Sequence, residues 1–205
     1  MSDSFDYDLV CIGSGPAGQR GAVQAAKLGK RVALVERRST VGGTCLATGT
    51  IPSKTFREAV LHFAAATRSD GGATRATQRP TVSELLSRVD EVVAREGAVI
   101  SNQLSRNGVD VMCGEAAFLD PHRIRVTGTA SWRDISAENV LIASGTHAVP
   151  LSNIESNGET IITSDDISGL KRLPRTMAVV GAGVIGIEYA SMFASLGVAS
   201  MSLRV

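Results

Sequence analysis

The sequence predicts an α/β chain of two doubly wound, parallel-sheet folds, the second of them cut short. Two observations carry this prediction. A short apolar strand, a G-x-G-x-x-G turn, a helix and a second strand follow one another from Asp8 to Glu36, and the same order begins again at Met177. Strands that alternate with helices imply a parallel sheet covered on both faces. With 205 residues, 43% of them hydrophobic, the chain can bury a core for one or two domains. The expected division is residues 1–150 for the first fold and 151–205 for the start of the second.

In the first fold, Asp8-Leu9-Val10-Cys11-Ile12 reads as a strand buried on both faces, and Cys11 inside it as an inert thiol. The turn Gly13-Ser14-Gly15-Pro16-Ala17-Gly18 follows. Gly13 permits the tight turn, Gly15 lets backbone N–H groups approach a pyrophosphate, and Gly18 lets the helix close on the strand. The helix N-terminus adds about half a positive charge toward the phosphates. Gly29 ends that helix, Arg31 to Val35 forms the next strand, and Glu36 stands at its end, 18 residues after Gly18. There its carboxylate can accept from the hydroxyls of an adenosine ribose. Strand, turn, helix, strand and terminal acid together predict a dinucleotide site, which the turn alone would not.

The run from Val41 to Lys54 is rich in chemistry. It holds Gly42, Gly43 and Gly49, where backbone can approach a flat or phosphorylated ligand, then Pro52 and Ser53 as a helix start and Lys54 as a fixed cation. Its one thiol is Cys45. Five positions on, where a second cysteine would complete a redox dithiol, stands Thr50.

Ser53 to Thr67 reads as a helix in which His62 is a packed or surface residue, and 69–80 as a loop with two solvated arginines. Thr81-Val82-Ser83-Glu84 is a capping box. It opens a long helix whose stripe of Val82, Leu85, Leu86, Val89, Val92, Val93, Val99, Ile100 and Leu104 is core packing, ended by Asn107-Gly108. Strands are expected at Val109–Cys113, Arg123–Thr127 and Asn139–Ala143. The polar stretch from Pro150 to Pro174 reads as a crossing, with Ser164-Asp165-Asp166 as a helix N-cap.

The second fold starts with Met177 to Val180, turns through Gly181-Ala182-Gly183-Val184-Ile185-Gly186, and continues into a helix with Tyr189, Met192, Phe193 and Leu196 that closes at Gly197. A second strand is expected over Val198–Val205, with Arg204 where an acid would otherwise stand. Two fingerprints imply two dinucleotides and electron transfer between them.

Composition narrows the rest. With 21 basic against 20 acidic residues and 4% aromatics, neither nucleic acid nor an anionic membrane is an expected partner. No apolar run approaches the ~20 residues that span a bilayer. Cys11, Cys45 and Cys113 lack zinc or disulfide-scaffold spacing, so no metal is expected, and the start of the chain lacks a secretory pattern. A cytoplasmic protein is the expectation.

Gly13-x-Gly15-x-x-Gly18 with Glu36, then Gly42-Gly43-Thr44-Cys45 and Ile51-Pro52-Ser53-Lys54, resembles the flavoprotein reductases with two dinucleotide folds, among them dihydrolipoyl dehydrogenase, glutathione reductase and mercuric reductase. The variant with Thr50 in place of the second cysteine is similar to the soluble Si-specific pyridine nucleotide transhydrogenases, over about Tyr7 to Gly197. The resemblance implies that FAD is held by Gly13, Gly15, Pro16, Ala17, Gly18, Glu36, Arg37, Gly42, Gly43, Thr44, Cys45 and Lys54. It places Gly114, Glu115 and Ala116 near the adenine, and Ala143, Ser144 and Gly145 at a turn crossing the cofactor. It implies that NAD(P)H is held by Gly181, Gly183, Val184, Ile185 and Gly186, and that Lys54 and Glu188 meet at the flavin's reactive edge as the catalytic pair.

The implied reaction takes hydride from NADPH through FAD to NAD+. The implied full-length parent is a homo-oligomer in which further chain completes both folds, so this chain alone is expected to turn over little. A dithiol reductase, a diaphorase-type flavoprotein and a non-enzymatic nucleotide-binding fragment are the alternatives. Thr50 argues against the first.

Overall fold

A computed structural model describes residues 5–69, 80–149 and 154–203, with side chains described outside 66–69. The chain divides into two compact units: residues 1–47 with 94–147, and residues 48–93 with 148–205.

The first unit is built on a six-stranded sheet. Strands β1 (Tyr7–Ile12), β2 (Val32–Glu36), β3 (Asp110–Cys113), β4 (Glu115–Asp120), β5 (Arg123–Thr127) and β6 (Trp132–Ile142) lie in the order β3-β2-β1-β6-β5-β4. The apolar runs of β1 and β2 are the interior of the parallel part, where β3, β2, β1 and the end of β6 run side by side. β6 is longer than the Asn139–Ala143 run suggests. Its first half, Trp132 to Ser136, pairs antiparallel with β5, and its second half, from Ala137, pairs parallel with β1. The polar Trp132-Arg133-Asp134 start and the mostly exposed β4 have no clean alternation, so neither announces itself as a strand. Val10, Ala33, Val35, Ile124, Val126, Ile135 and Ala137 pack as one core of this unit.

Helix α1 (Pro16–Lys27) packs on β1, β2 and β6. It ends in a Schellman motif: the Gly29 N–H donates to the Ala26 carbonyl and the Lys30 N–H to that of Ala25. Helix α2 (Gly43–Ala47) is a single short turn inside the glycine-rich run.

The second unit gathers α3 (Thr50–Ser69), the first half of α4 (Val82–Arg106), a 3-10 helix over Ser164–Gly169, β7 (Thr176–Val180), α5 (Val184–Ser195) and β8 (Ala199–Leu203). β7 and β8 pair in parallel. α3 begins at Thr50, three residues before the expected Ser53. The Ser53 N–H bonds to the Gly49 carbonyl, so Pro52 falls in the first turn, where its missing N–H costs nothing. The capping box at α4 is formed: the Thr81 N–H and hydroxyl donate to the Glu84 carboxylate, and the Glu84 N–H to the Thr81 hydroxyl. Of the α4 stripe, Val82, Leu85, Val89, Ile100 and Leu104 are buried and Leu86, Val92 and Val93 half-buried, whereas Val99 is 51% exposed. At the 3-10 helix the cap is Thr163, bonded reciprocally with Asp166, rather than Ser164. Phe56, Val60, Leu85, Val89, Ile167, Tyr189, Met192, Phe193, Leu196 and Val198 form the core of the unit. The expected loop arginines, Arg75 and Arg79, and Arg204 lie outside the described residues.

Candidate nucleotide sites

In the first unit the predicted residues converge at the carboxyl ends of β1, β2, β3 and β6, the edge at which open parallel sheets bind ligands. The turn after β1 is held tightly. Gly13 has φ +102°, its N–H donates to the Val35 carbonyl, and a Cβ there would strike the Ala143 carbonyl. A Cβ on Gly18 would overlap the Gly13 carbonyl, so the start of α1 rests directly on the turn. A Cβ on Gly15, by contrast, would meet nothing within 4 Å. Open space therefore faces the turn there. The first helical bond runs from the Gln19 N–H to the Gly15 carbonyl, so Ala17 and Gly18 offer N–H groups without intrahelical acceptors.

Glu36 closes this edge. It is only 7% exposed, and its carboxylate accepts from the Ser14 N–H at 2.9 Å, the Ser14 hydroxyl at 2.5 Å and the Arg38 N–H at 2.9 Å. Burial works against its charge, but the Ser14 hydroxyl, the Arg38 and Ser14 N–H groups and the Arg38 charge more than offset it. The carboxyl therefore titrates below its ordinary range. A folded pKa below the unfolded one means that this stabilisation is complete above the unfolded pKa of ~4.3 and is lost as pH falls through the folded value. Urea midpoints of the chain should therefore drop more steeply from pH 6 to pH 3 than those of Glu36→Gln. Parallel curves would contradict this.

Ser14 is the residue that sequence reasoning missed. Besides Glu36, its hydroxyl accepts from the Gly42 N–H at 2.9 Å, tying the fingerprint turn, the β2 acid and the glycine-rich run together. Its only sequence signal is a small hydroxyl residue at the variable position between Gly13 and Gly15. The remaining predicted residues of this unit join the same edge. Gly43 has φ +61° and lies so close to the turn that its Cβ would come 2.7 Å from the Gly15 Cα. The Thr44 hydroxyl donates to the Thr146 carbonyl, just past Ala143-Ser144-Gly145, and the Gly114 N–H donates to the Glu36 carbonyl. Glu115 and Ala116 begin β4. Arg37 is exposed and Cys45 half-buried, while buried Cys11 has its thiol pushed up to about 11 by desolvation. An open groove of about 620 Å³, lined by Tyr7, Arg31 and Asp110, lies at the opposite end of these strands and holds none of the predicted residues.

The second unit repeats the turn. The Gly181 N–H donates to the Leu203 carbonyl, a Cβ on Gly186 would overlap the Gly181 carbonyl, and Gly183, the N-cap of α5, faces open space. Val184 and Ile185, 84% and 58% exposed, start the helix. One turn on, Glu188 accepts from Lys54 Nζ at 2.5 Å. Packing sets this pair: Phe56 on α3 stacks against Tyr189 and Phe193 on α5, with ring centroids 6.5 and 5.8 Å apart, and Lys54 and Glu188 flank those rings in sequence. The Lys54 side chain is 55% exposed and that of Glu188 22%, so the ion pair faces solvent on one side.

Residues 7–203 match the family described as Pyridine nucleotide-disulphide oxidoreductase. The chain belongs to that family. It is 48% identical over 196 residues to the soluble pyridine nucleotide transhydrogenase of Mycobacterium bovis (strain BCG / Pasteur 1173P2), and 39% identical to that of Marinobacter nauticus, in each case covering 94% of this chain and 42% of the relative. The chain thus spans about two fifths of the length of the curated relatives it matches. The Cu(II) complex of the HOCl-induced flavoprotein disulfide reductase RclA from Escherichia coli superposes with a TM-score of 0.81 at 32% identity, over 97% of this chain and 42% of that one. Both fingerprints, and the run between Gly42 and Lys54, fall within the matched family region. No described helix is long and apolar enough to cross a membrane.

Proposed function

We propose that this chain is the nucleotide-binding part of an FAD-dependent, Si-specific pyridine nucleotide transhydrogenase that takes hydride from NADPH by way of FAD to NAD+. In this reading, residues 1–150 serve FAD and residues 151–205 begin the nicotinamide nucleotide site, in a cytoplasmic parent that assembles as a homo-oligomer. The observation that carries it is Thr50. It stands at the start of α3, so Cys45 is the single thiol of a run that otherwise matches the dithiol enzymes, and the transhydrogenase relatives support the same choice.

Bound FAD would supply a two-electron carrier between two nicotinamide nucleotides. The chain's own groups would do the rest. The Ala17 and Gly18 N–H groups would take the pyrophosphate, Glu36 would accept from the ribose, and Gly42 to Cys45, Gly114 to Ala116 and Ala143 to Gly145 would line the cofactor. Gly181, Gly183, Val184, Ile185 and Gly186 would hold the nicotinamide nucleotide. Lys54, fixed by Glu188, would place a cation at the reacting edge of the ring.

The Escherichia coli neighbour is named a disulfide reductase, which favours a dithiol reading; Thr50 opposes it, because a lone Cys45 has no resolving partner. Acceptor selectivity separates the readings. With FAD bound and bleached by anaerobic NADPH, the absorbance should return on adding NAD+ and not on adding lipoamide or glutathione disulfide. Dyes and quinones as the only effective acceptors would indicate a diaphorase instead. Thr50→Cys alone should leave disulfide reductase activity at background, and strong disulfide reduction by that variant would contradict the account.

A further inference from the structure

The open groove of about 620 Å³ belongs wholly to the first unit and is lined by no residue assigned to a nucleotide. Its walls come from the amino ends of β1, β2 and β3 and from the first half of β6. Most charged groups at its rim are engaged. Arg31 pairs with Asp8 at 2.8 Å, the Asp6 carboxylate accepts from the Ser136 N–H and hydroxyl, and Asp134 accepts two bonds from Arg125. Arg133 and Asp110 are engaged least. Among the described residues neither has an ion-pair partner, and both are exposed, so their free atoms can be reached. The Tyr7 hydroxyl joins them: it donates to Asp110 Oδ2 at 2.9 Å and accepts from Arg133 Nη2 at 3.4 Å. Arg133 Nη2 also donates to Met112 Sδ at 2.8 Å, but a thioether is a weak acceptor and neutralises no charge.

A cation and an anion held one phenol oxygen apart select a ligand that carries both charges at short range. A simple anion would meet Asp110 and Asp6, and a simple cation Arg133 and Arg31, so each loses on one side what it gains on the other. A zwitterion avoids both losses. Its carboxylate takes the guanidinium in a two-bond fork, and its ammonium takes the free oxygen of Asp110. An α-amino acid carries the two groups on one carbon. The half-buried rings of Phe5 and Tyr7 offer its side chain an apolar wall.

We propose that this groove binds a free α-amino acid with an aromatic side chain, its carboxylate on Arg133 and its ammonium on Asp110, with Tyr7 spacing the two. The site stands apart from the FAD reading and does not depend on it.

The test is an amide NMR titration of the purified chain with L-phenylalanine, with phenylpropanoate, which lacks the ammonium, and with phenethylamine, which lacks the carboxylate. Phenylalanine should bind with a dissociation constant of about 1 mM, the scale for a ligand of that size, and shift the amides of residues 5–7, 31–32, 108–110 and 133–135. Each analogue should bind about tenfold more weakly, the loss expected for one hydrogen bond to a charged group. Arg133→Met and Asp110→Asn should each weaken phenylalanine by about tenfold as well, and both positions are exposed, so the fold tolerates the changes. Either analogue binding within about twofold of phenylalanine overturns the assignment, and this comparison needs no variant. Undiminished binding by Arg133→Met overturns it too. So does a titration to about 10 mM phenylalanine that produces no saturable shifts at the groove.

Discussion

Gly18→Ala is expected to cost the first unit about 2–4 kcal/mol, whereas Gly15→Ala should leave stability within about 0.5 kcal/mol and yet abolish FAD binding. The two glycines differ by two intervening residues and have opposite surroundings. A methyl on Gly18 overlaps the Gly13 carbonyl, which is backbone and cannot rotate away, so α1 must lift from the strand that the turn terminates. A methyl on Gly15 enters open space, and its φ of −62° suits any residue, so the folded chain tolerates it. That open space is where a pyrophosphate would meet the helix N-terminus, and the methyl would take its place. Urea unfolding and FAD titration of both variants read the two effects apart. Equal loss of stability in the two, or undiminished FAD binding by Gly15→Ala, would contradict this account of the turn.

The second large effect is expected at Lys54. Lys54→Met should change stability by less than about 1 kcal/mol, because its side chain is more than half exposed and solvent screens its pairing with Glu188. The rate at which NADPH bleaches the flavin band should nonetheless fall by about a hundredfold, the scale on which removing one fixed charge from a reacting edge is felt. Glu188→Gln should give a smaller loss, since it frees the lysine without removing it. Stopped-flow absorbance measures both. A Lys54→Met chain that bleaches at the unsubstituted rate would reduce the pair to a surface ion bridge.

Much of this was legible beforehand because its signals are local. Each fingerprint needs only its own turn, helix and strand, and the Thr81–Glu84 box needs four residues; all three form as the sequence implies. What stayed hidden depends on partners distant in the chain. β4 and the first half of β6 are strands because β5 lies between them, and neither the mostly exposed β4 nor the polar residues about Ile135 give a clean alternation to read. Val99 reads as part of the stripe, yet it stands one residue, about 100° of helix turn, from buried Ile100 and faces water. Ser14 matters through its contacts with Glu36 and Gly42, 22 and 28 residues away. Family membership follows from motif order, which a sequence carries in full.

The measurement that bears most directly on the central claim is the visible absorption spectrum of the purified chain with FAD, taken before and after anaerobic NADPH. The account predicts a protein-bound flavin spectrum that survives gel filtration and bleaches when NADPH is added. A colourless protein after gel filtration, or a bound flavin that NADPH leaves oxidised, would contradict it.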